Sequence, residues 1–171
     1  MLYVTTSRKP SQQTRSLARW LARFLSGECE NRGKRSLAEI VERAGNAGMK
    51  RLLFVYEFHG NPSELSFYEE GWLSPVLKIK SVELPEKQSV RLKGELKVVA
   101  EGEMGRKMAA LFSVEDSAEK DALCLTHPED ASCKDVEMHL SREAVLFTLG
   151  GKAVTSIRLA GFGDILEGKR E

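Results

Sequence analysis

Residues 2–21 read LYVTTSRKPSQQTRSLARWL, and this stretch determines how the chain begins to fold. Its apolar start predicts a strand over residues 2–5. A turn rich in hydroxyls and cations follows, and beyond it apolar residues recur every three or four positions: Leu17, Trp20, Leu21, Phe24 and Leu25. This spacing predicts an amphipathic helix from about residue 11 to residue 25, stopped by Gly27. The chain therefore opens as strand, polar turn and helix.

The composition predicts a soluble globular protein, since 42% of the 171 residues are hydrophobic and 30% are charged. No apolar run is long enough to cross a membrane, and no export signal precedes the first strand. The three cysteines, Cys29, Cys124 and Cys133, are too few and too odd in number for a disulfide framework. We therefore expect free thiols and a cytoplasmic protein.

Helical and strand patterns alternate along the rest of the chain. Ser36 and Glu39 form an S-x-x-E capping box, which predicts a helix from about 37 to 47 with Gly48 at its C-terminal cap. RLLFVYEF at 51–58 predicts a buried central strand, and HGNP at 59–62 predicts a turn. Further strands are expected within 64–70, 75–82, 89–100, 122–126, 135–140, 144–149 and 153–159, and a helix is expected at 103–112.

This mixture predicts an α/β or α+β fold. Pro85 marks the best candidate boundary inside a single domain that covers residues 1–171. Each side of it contains a helix followed by an apolar strand and a polar turn, which hints at two duplicated halves of about 1–83 and 84–171.

Positive charge is concentrated in residues 1–35, which carry eight basic and two acidic side chains, although the net charge of the chain is only +1. Arg15, Arg19 and Arg23 are four residues apart, so on a helix they drift by only ~80° and form one stripe. The stripe faces away from the apolar side. The helix N-terminus, with its unpaired N–H groups and neighbouring hydroxyls, would suit phosphate oxygens. The simpler alternative is that the hydroxyls cap the helix and the arginines coat a solvated face.

A second cationic loop, NRGKR at 31–35, favours a polyanion partner. If both loops lie at the same edge of the sheet, they form one basic surface to which phosphate backbones bind.

Other chemistries have weaker support. Glu57 and His59 fall on one face of a strand end and could form the acid and base pair of a small hydrolase. Cys124, His127, Cys133 and His139 have no established zinc-ligand spacing, and the glycine-rich segments match no nucleotide fingerprint. Neither a metal nor a cofactor is expected. Tyr68 and Trp72 are explained by packing, so the sequence does not indicate a stacking platform.

Three segments in order resemble the landmarks of the Brix domain family. TTSRKPSQQTRSLARWL at 5–21 is similar to the family's opening, in which a strand leads through an R-x-P-S turn into a helix. Arg32 and Gly33 match its R-G pair, and the E-x-x-G-x-P pattern that ends a strand is matched by Glu57, Gly60 and Pro62.

The chain beyond these three segments resembles the family less. Gly71 and Pro75 are all that remains of a G-P-T segment, and LSREAVLF at 140–147 keeps Arg142 of a segment implicated in RNA contact but not its glycine and proline. TSIRLAGFGD at 155–164 is similar to the family's I-R-L-G ending.

The resemblance implies a compact, archaeal-type ribosome biogenesis factor of the small-subunit branch. Such a protein would bind ribosomal RNA precursor and assist its processing or folding without catalysis. Ribosome assembly proteins and a small guide RNA are further expected partners. The implied fold has two halves, each like the anticodon-binding domain of class II aminoacyl-tRNA synthetases.

Together these observations predict an RNA-binding surface formed by Thr5, Thr6, Ser7, Arg8, Lys9, Ser11, Arg15, Arg19, Arg23, Arg32, Lys34, Arg35 and Arg142. An alternative from another class is a protein interaction module whose basic helix docks on an acidic partner.

Overall fold

The computed structural model describes residues 1–85, 96–114 and 136–164. The chain forms two compact units, of which the first comprises Met1–Ser81 and Leu159–Glu171 and the second comprises Val82–Arg158. None of the helices in the described ranges has the length and apolarity that a membrane-spanning helix requires.

The first unit is a mixed sheet with two helices. Its elements are β1 (Leu2–Thr6), α1 (Gln12–Phe24), β2 (Glu28–Glu30), α2 (Leu37–Asn46), β3 (Arg51–Phe58), β4 (Asn61–Tyr68) and β5 (Trp72–Glu83), whose last two residues pass into the second unit. The strand order is β2-β1-β3-β4-β5. β1 is parallel to both β2 and β3, whereas β3, β4 and β5 are antiparallel neighbours. Parallel pairing of β1 with its neighbours requires crossovers, and α1 and α2 are those crossovers.

The second unit repeats part of this order. Its elements are β6 (Leu96–Ala100), α3 (Gly102–Phe112), β7 (Val136–Leu140), β8 (Ala144–Leu149) and β9 (Lys152–Gly163), the last of which continues into the first unit from Leu159. β6 and β7 are parallel, and β7, β8 and β9 are antiparallel. In both units a strand and a helix are thus followed by an antiparallel three-strand meander.

The helix α1 packs its apolar face on the sheet, as its spacing predicts. The side chains of Leu17, Trp20, Leu21 and Phe24 are buried, and the Trp20 and Phe24 rings stack with their centroids 5.4 Å apart. Burying a large apolar side chain contributes roughly 1.5–3 kcal/mol, so this face fixes the orientation of the helix. The opposite face of α1 is consequently turned to solvent.

The helix α2 covers a hydrophobic core cluster of the first unit. Ile40 and Ala44 are fully buried and pack with Tyr3, Leu52 and Phe54. The predicted capping box is present, since the Ser36 hydroxyl accepts from the Glu39 N–H at 3.2 Å and the Glu39 carboxylate accepts from the Ser36 N–H at 2.7 Å. The helix ends at Asn46 with Ala47 as its C-cap, and Gly48 follows with a φ of +74°.

The mixed α/β class predicted from the sequence is confirmed. The predicted strand at 51–58 and the predicted strand at 144–149 have the observed bounds. The three-residue edge strand β2 was not predicted, because its sequence, ECE, carries none of the β-branched or aromatic residues that indicate a strand. The predicted strand at 122–126 and most of the one at 89–100 lie outside the described residues.

Candidate nucleic-acid interface

The exposed face of α1 carries only positive charge. The helix sequence QQTRSLARWLARF contains three arginines and no acidic residue. Arg19 and Arg23 are exposed, and the Arg23 guanidinium lies 5.3 Å from the centroid of the Trp20 ring. Arg15 is half-buried and its Nε atom is inaccessible, so it presents less of its charge to solvent than the other two. The stripe predicted from the four-residue spacing therefore reaches solvent mainly through its last two members.

A carboxylate from the sheet occupies the N-terminus of α1. The Glu57 Oε2 atom accepts a hydrogen bond from the Ser11 N–H and another from the Thr14 hydroxyl, both at 2.7 Å. The Ser11 hydroxyl caps the helix by accepting from the Thr14 N–H at 3.2 Å. Two of the donors at this helix end are already satisfied, and the negative charge of Glu57 opposes a phosphate there. The expected use of this end and of Ser11 for phosphate binding is therefore corrected to an internal cap.

The charge of Glu57 is stabilised by this cap. Burial raises the pKa of the Glu57 carboxyl. The hydrogen bonds from Ser11 and Thr14 lower that pKa by more than burial raises it, so the pKa lies below its ordinary value. Glu57 is therefore ionised at neutral pH and complements the positive end of the helix dipole.

The hydroxyls at the end of β1 face inward. Thr5 and Thr6 are 0% exposed, and the Thr6 hydroxyl donates to the Ser7 carbonyl at 3.1 Å while accepting from the Arg32 N–H at 3.4 Å. The Ser7 Oγ atom is also inaccessible. These three hydroxyls are thus removed from the surface on which we expected them. Thr5 and Thr6 point to opposite faces of the sheet, and both are inside because every residue of β1 is buried.

The NRGKR loop contributes less charge to the surface than its sequence suggests. Arg32 is only 3% exposed, with its guanidinium 5.9 Å from the centroid of the Phe54 ring and its Nε donating to the Arg35 carbonyl at 3.1 Å. Arg35 donates to the Asn31 carbonyl at 3.2 Å and lies 3.7 Å from the Glu30 carboxylate. Lys34 is exposed. The place of Arg32 in the expected cationic track is corrected, since its side chain stabilises the loop instead.

Glu30 forms ion pairs with Arg35 of this loop and with Arg43 of α2. Its carboxylate also accepts from the Arg43 Nε at 2.8 Å. Burial raises the pKa of Glu30, but hydrogen bonds from Tyr3 and Arg43 and the charges of the two arginines lower it overall. Sequence reasoning missed this cluster because its members come from β1, β2 and α2 and share no spacing.

The exposed cations of the predicted set in the first unit are therefore Arg8, Lys9, Arg19, Arg23 and Lys34. Arg8 and Lys9 lie in the turn between β1 and α1. Arg142 is exposed in the turn between β7 and β8 of the second unit.

Glu57 and His59 have separate roles. The strand register shifts between Tyr56 and Glu57, so simple alternation does not apply at this strand end. Glu57 caps α1, whereas His59 is exposed in the β3–β4 turn with a φ of +49° and its ring against Phe58 at a centroid distance of 4.1 Å. Glu57 therefore belongs to a helix cap and His59 to an exposed turn, and the two side chains do not form an acid and base pair.

The cysteines and histidines that were weighed and set aside as metal ligands are only partly described. Cys124, His127 and Cys133 lie outside the described residues, and the His139 Nε2 is 3.3 Å from the Glu137 carboxylate. Within residues 1–85, 96–114 and 136–164 no group of three metal-ligating side chains occurs. Cys29 is a free thiol, and burial raises its pKa to about 11 although the charge of Arg19 lowers it.

No protein-family model matches the chain, but curated proteins with one shared description are similar to it. A "Probable Brix domain-containing ribosomal biogenesis protein" of Methanosarcina barkeri is 32% identical over 163 residues, which cover 94% of this chain and 98% of the relative. A protein of the same description from Methanosarcina mazei is 31% identical over 164 residues, with the same coverage.

Solved structures show the same fold. Mil, an archaeal Imp4-like protein, has a TM-score of 0.68 at 22% identity and covers 95% of this chain and 98% of its own. A probable ribosomal biogenesis protein from Aeropyrum pernix K1 has a TM-score of 0.69 at 24% identity and covers 97% of this chain and 98% of its own.

Proposed function

The chain belongs to the Brix domain family of ribosomal biogenesis proteins, and from this premise we propose that it binds ribosomal RNA precursor through the cationic face of its first unit. Its role would be to assist folding or processing of that RNA without catalysing a reaction. Ribosome assembly proteins would act beside it.

The observation that carries this proposal is the charge of α1. A solvated helix face usually mixes both signs, whereas this helix has arginines and no carboxylate. Arg19 and Arg23 lie on that exposed face, and Arg8 and Lys9 lie in the turn that leads into the same helix. Guanidinium groups bind phosphate oxygens in a bidentate manner, which suits an RNA backbone.

Phosphate contacts of this kind position RNA but do not read its sequence. Specificity for the precursor would then come from RNA shape, from unpaired nucleotides or from assembly partners.

The salt dependence of RNA binding tests this assignment. In the double variant Arg19→Gln/Arg23→Gln, affinity for a ribosomal RNA precursor fragment should fall, and the slope of log K against log salt should become shallower by roughly 0.7–0.9 per lost phosphate contact. Fluorescence anisotropy at several salt concentrations measures both quantities. Arg15 is left unchanged because its side chain is half-buried.

A matched control removes the same charge elsewhere. Arg106 and Lys107 are exposed on α3, so Arg106→Gln/Lys107→Gln changes the net charge equally on another helix. Equal losses in both double variants would show that binding follows net charge alone and would refute the assignment to α1.

The acidic-protein alternative has its own test. Capture of partners from cell extract, with and without ribonuclease, separates the two functions. Ribosome-associated material should be lost after nuclease treatment, and retention of one acidic protein through the α1 arginines would favour the alternative.

A further inference from the structure

An open cleft of about 720 Å³ lies in the first unit beside the N-terminal half of α2. Leu37, Ala38 and Val41 of the helix form one wall, and Tyr68 of β4 contributes an aromatic ring. Arg8 and Glu42, both exposed, also line it. The volume falls in the range of roughly 300–1,000 Å³ that is typical of small-ligand sites.

The Tyr68 ring in the cleft packs against other aromatic side chains of the first unit. The ring of Tyr68 meets the ring of Trp72 edge-on at a centroid distance of 5.4 Å, and Trp72 in turn lies 5.1 Å from the buried Phe54 ring. Tyr68 itself is only half-buried. A ring fixed in this way loses little conformational freedom when a flat ligand packs on it.

The charges in the cleft match a nucleotide better than an apolar peptide. Arg8 offers a cation for a phosphate, and the Glu42 carboxylate can accept hydrogen bonds from base N–H groups. Arg8 also belongs to the β1–α1 turn, which leads directly into the cationic helix α1. An RNA backbone that follows those cations would therefore pass the opening of the cleft.

We propose that the cleft takes up one unpaired nucleobase of the bound RNA, with the base against Tyr68 and its phosphate at Arg8. This inference rests on the proposed RNA binding and adds to it a preference for RNA with an unpaired nucleotide. Proteins commonly recognise RNA by stacking splayed-out bases on aromatic side chains, and such stacking tolerates any base.

Filling the cleft tests the proposal. Ala38 is exposed on α2 and lines the cleft, so Ala38→Phe should occupy the space without removing charge or core packing. The probes are a fully paired RNA hairpin and the same hairpin with one bulged 2-aminopurine, and anisotropy gives the affinity for each. The unaltered protein should bind the bulged hairpin more tightly by about 5- to 150-fold, the range expected for one stacked base.

In Ala38→Phe this preference should disappear, while affinity for the paired hairpin and its salt slope stay unchanged. Tyr68→Leu, which removes the ring but keeps an apolar side chain, should act in the same way and should also abolish quenching of 2-aminopurine fluorescence. Ala110→Phe, at an exposed position of α3 in the second unit, is the matched control and should keep the preference.

The outcomes separate the two proposals. Equal affinity of the unaltered protein for both hairpins, or a preference that survives both cleft variants, overturns the base-binding cleft and leaves backbone binding intact. Failure to bind either hairpin overturns the proposed RNA binding itself. Thermal unfolding of each variant confirms that a lost preference does not reflect lost structure.

Discussion

At the scale of single residues, Glu57 connects two segments that the sequence presents as separate motifs. Its carboxylate accepts from Ser11, the last residue of the R-x-P-S turn, and from Thr14 in the first turn of α1. Glu57 itself belongs to the E-x-x-G-x-P pattern at the end of β3. Gly60 of that pattern has a φ of +81° in the turn that follows, a conformation that glycine adopts without strain. The two motifs thus meet as one cap.

We expect Glu57→Gln to destabilise the protein at neutral pH by about 1–2 kcal/mol, because it weakens two hydrogen bonds to a charged acceptor at a helix N-terminus. The folded-state pKa of Glu57 is lowered, so its contribution is present above the unfolded pKa and is lost as pH falls through the folded value. Urea unfolding at pH 7 and at progressively lower pH measures this contribution.

The difference between the two proteins should accordingly shrink in acid. Glu42→Gln on the exposed side of α2 serves as the control and should change stability little at either pH. A penalty for Glu57→Gln that is independent of pH would contradict the capping role.

At the scale of elements, hydrophobic spacing predicted both the existence and the buried face of α1, since apolar burial decides how such a helix packs. The interface was harder to predict. Arg32 and Arg35 stand in a sequence as basic as that of α1, yet the folded loop turns one over Phe54 and the other toward Glu30. A pattern of charges does not show which cations fold back on their own loop, because that depends on partners distant in sequence.

Gly27 sets how closely the end of α1 approaches β1. A Cβ atom at this position would overlap the carbonyl oxygen of Leu2, which is held in the sheet. Gly27→Ala should therefore destabilise the first unit by roughly 1–3 kcal/mol, since backbone must move to accommodate the methyl group.

Gly45→Ala provides the comparison for that experiment. Gly45 lies in α2, and an added Cβ there would meet nothing within 4 Å, so the variant should be neutral or more stable by about 0.5–1 kcal/mol. Denaturant midpoints of both variants measure the effects, and a Gly27→Ala protein as stable as Gly45→Ala would refute the close approach.

At the scale of the whole molecule, each unit has a strand and a helix before an antiparallel three-strand meander, and the first unit has β2 and α2 in addition. The duplication of halves stays a prediction, as does the likeness of each half to an anticodon-binding domain. The net charge is only +1, so the proposed RNA binding depends on a local surface and not on the total charge. The exposed cations on α1 and on the turn before it form the surface that we propose.

Mapping the protein–RNA crosslinks formed in cells tests whether α1 and the turn before it contact ribosomal RNA. Ultraviolet crosslinking, followed by mass spectrometry of nucleotide-bearing peptides and sequencing of the bound fragments, identifies both sides of the contact. We expect ribosomal RNA precursor fragments attached to peptides from the β1–α1 turn and α1, residues 7–24. Crosslinks confined to residues 96–164, or fragments that contain no ribosomal RNA, would contradict it.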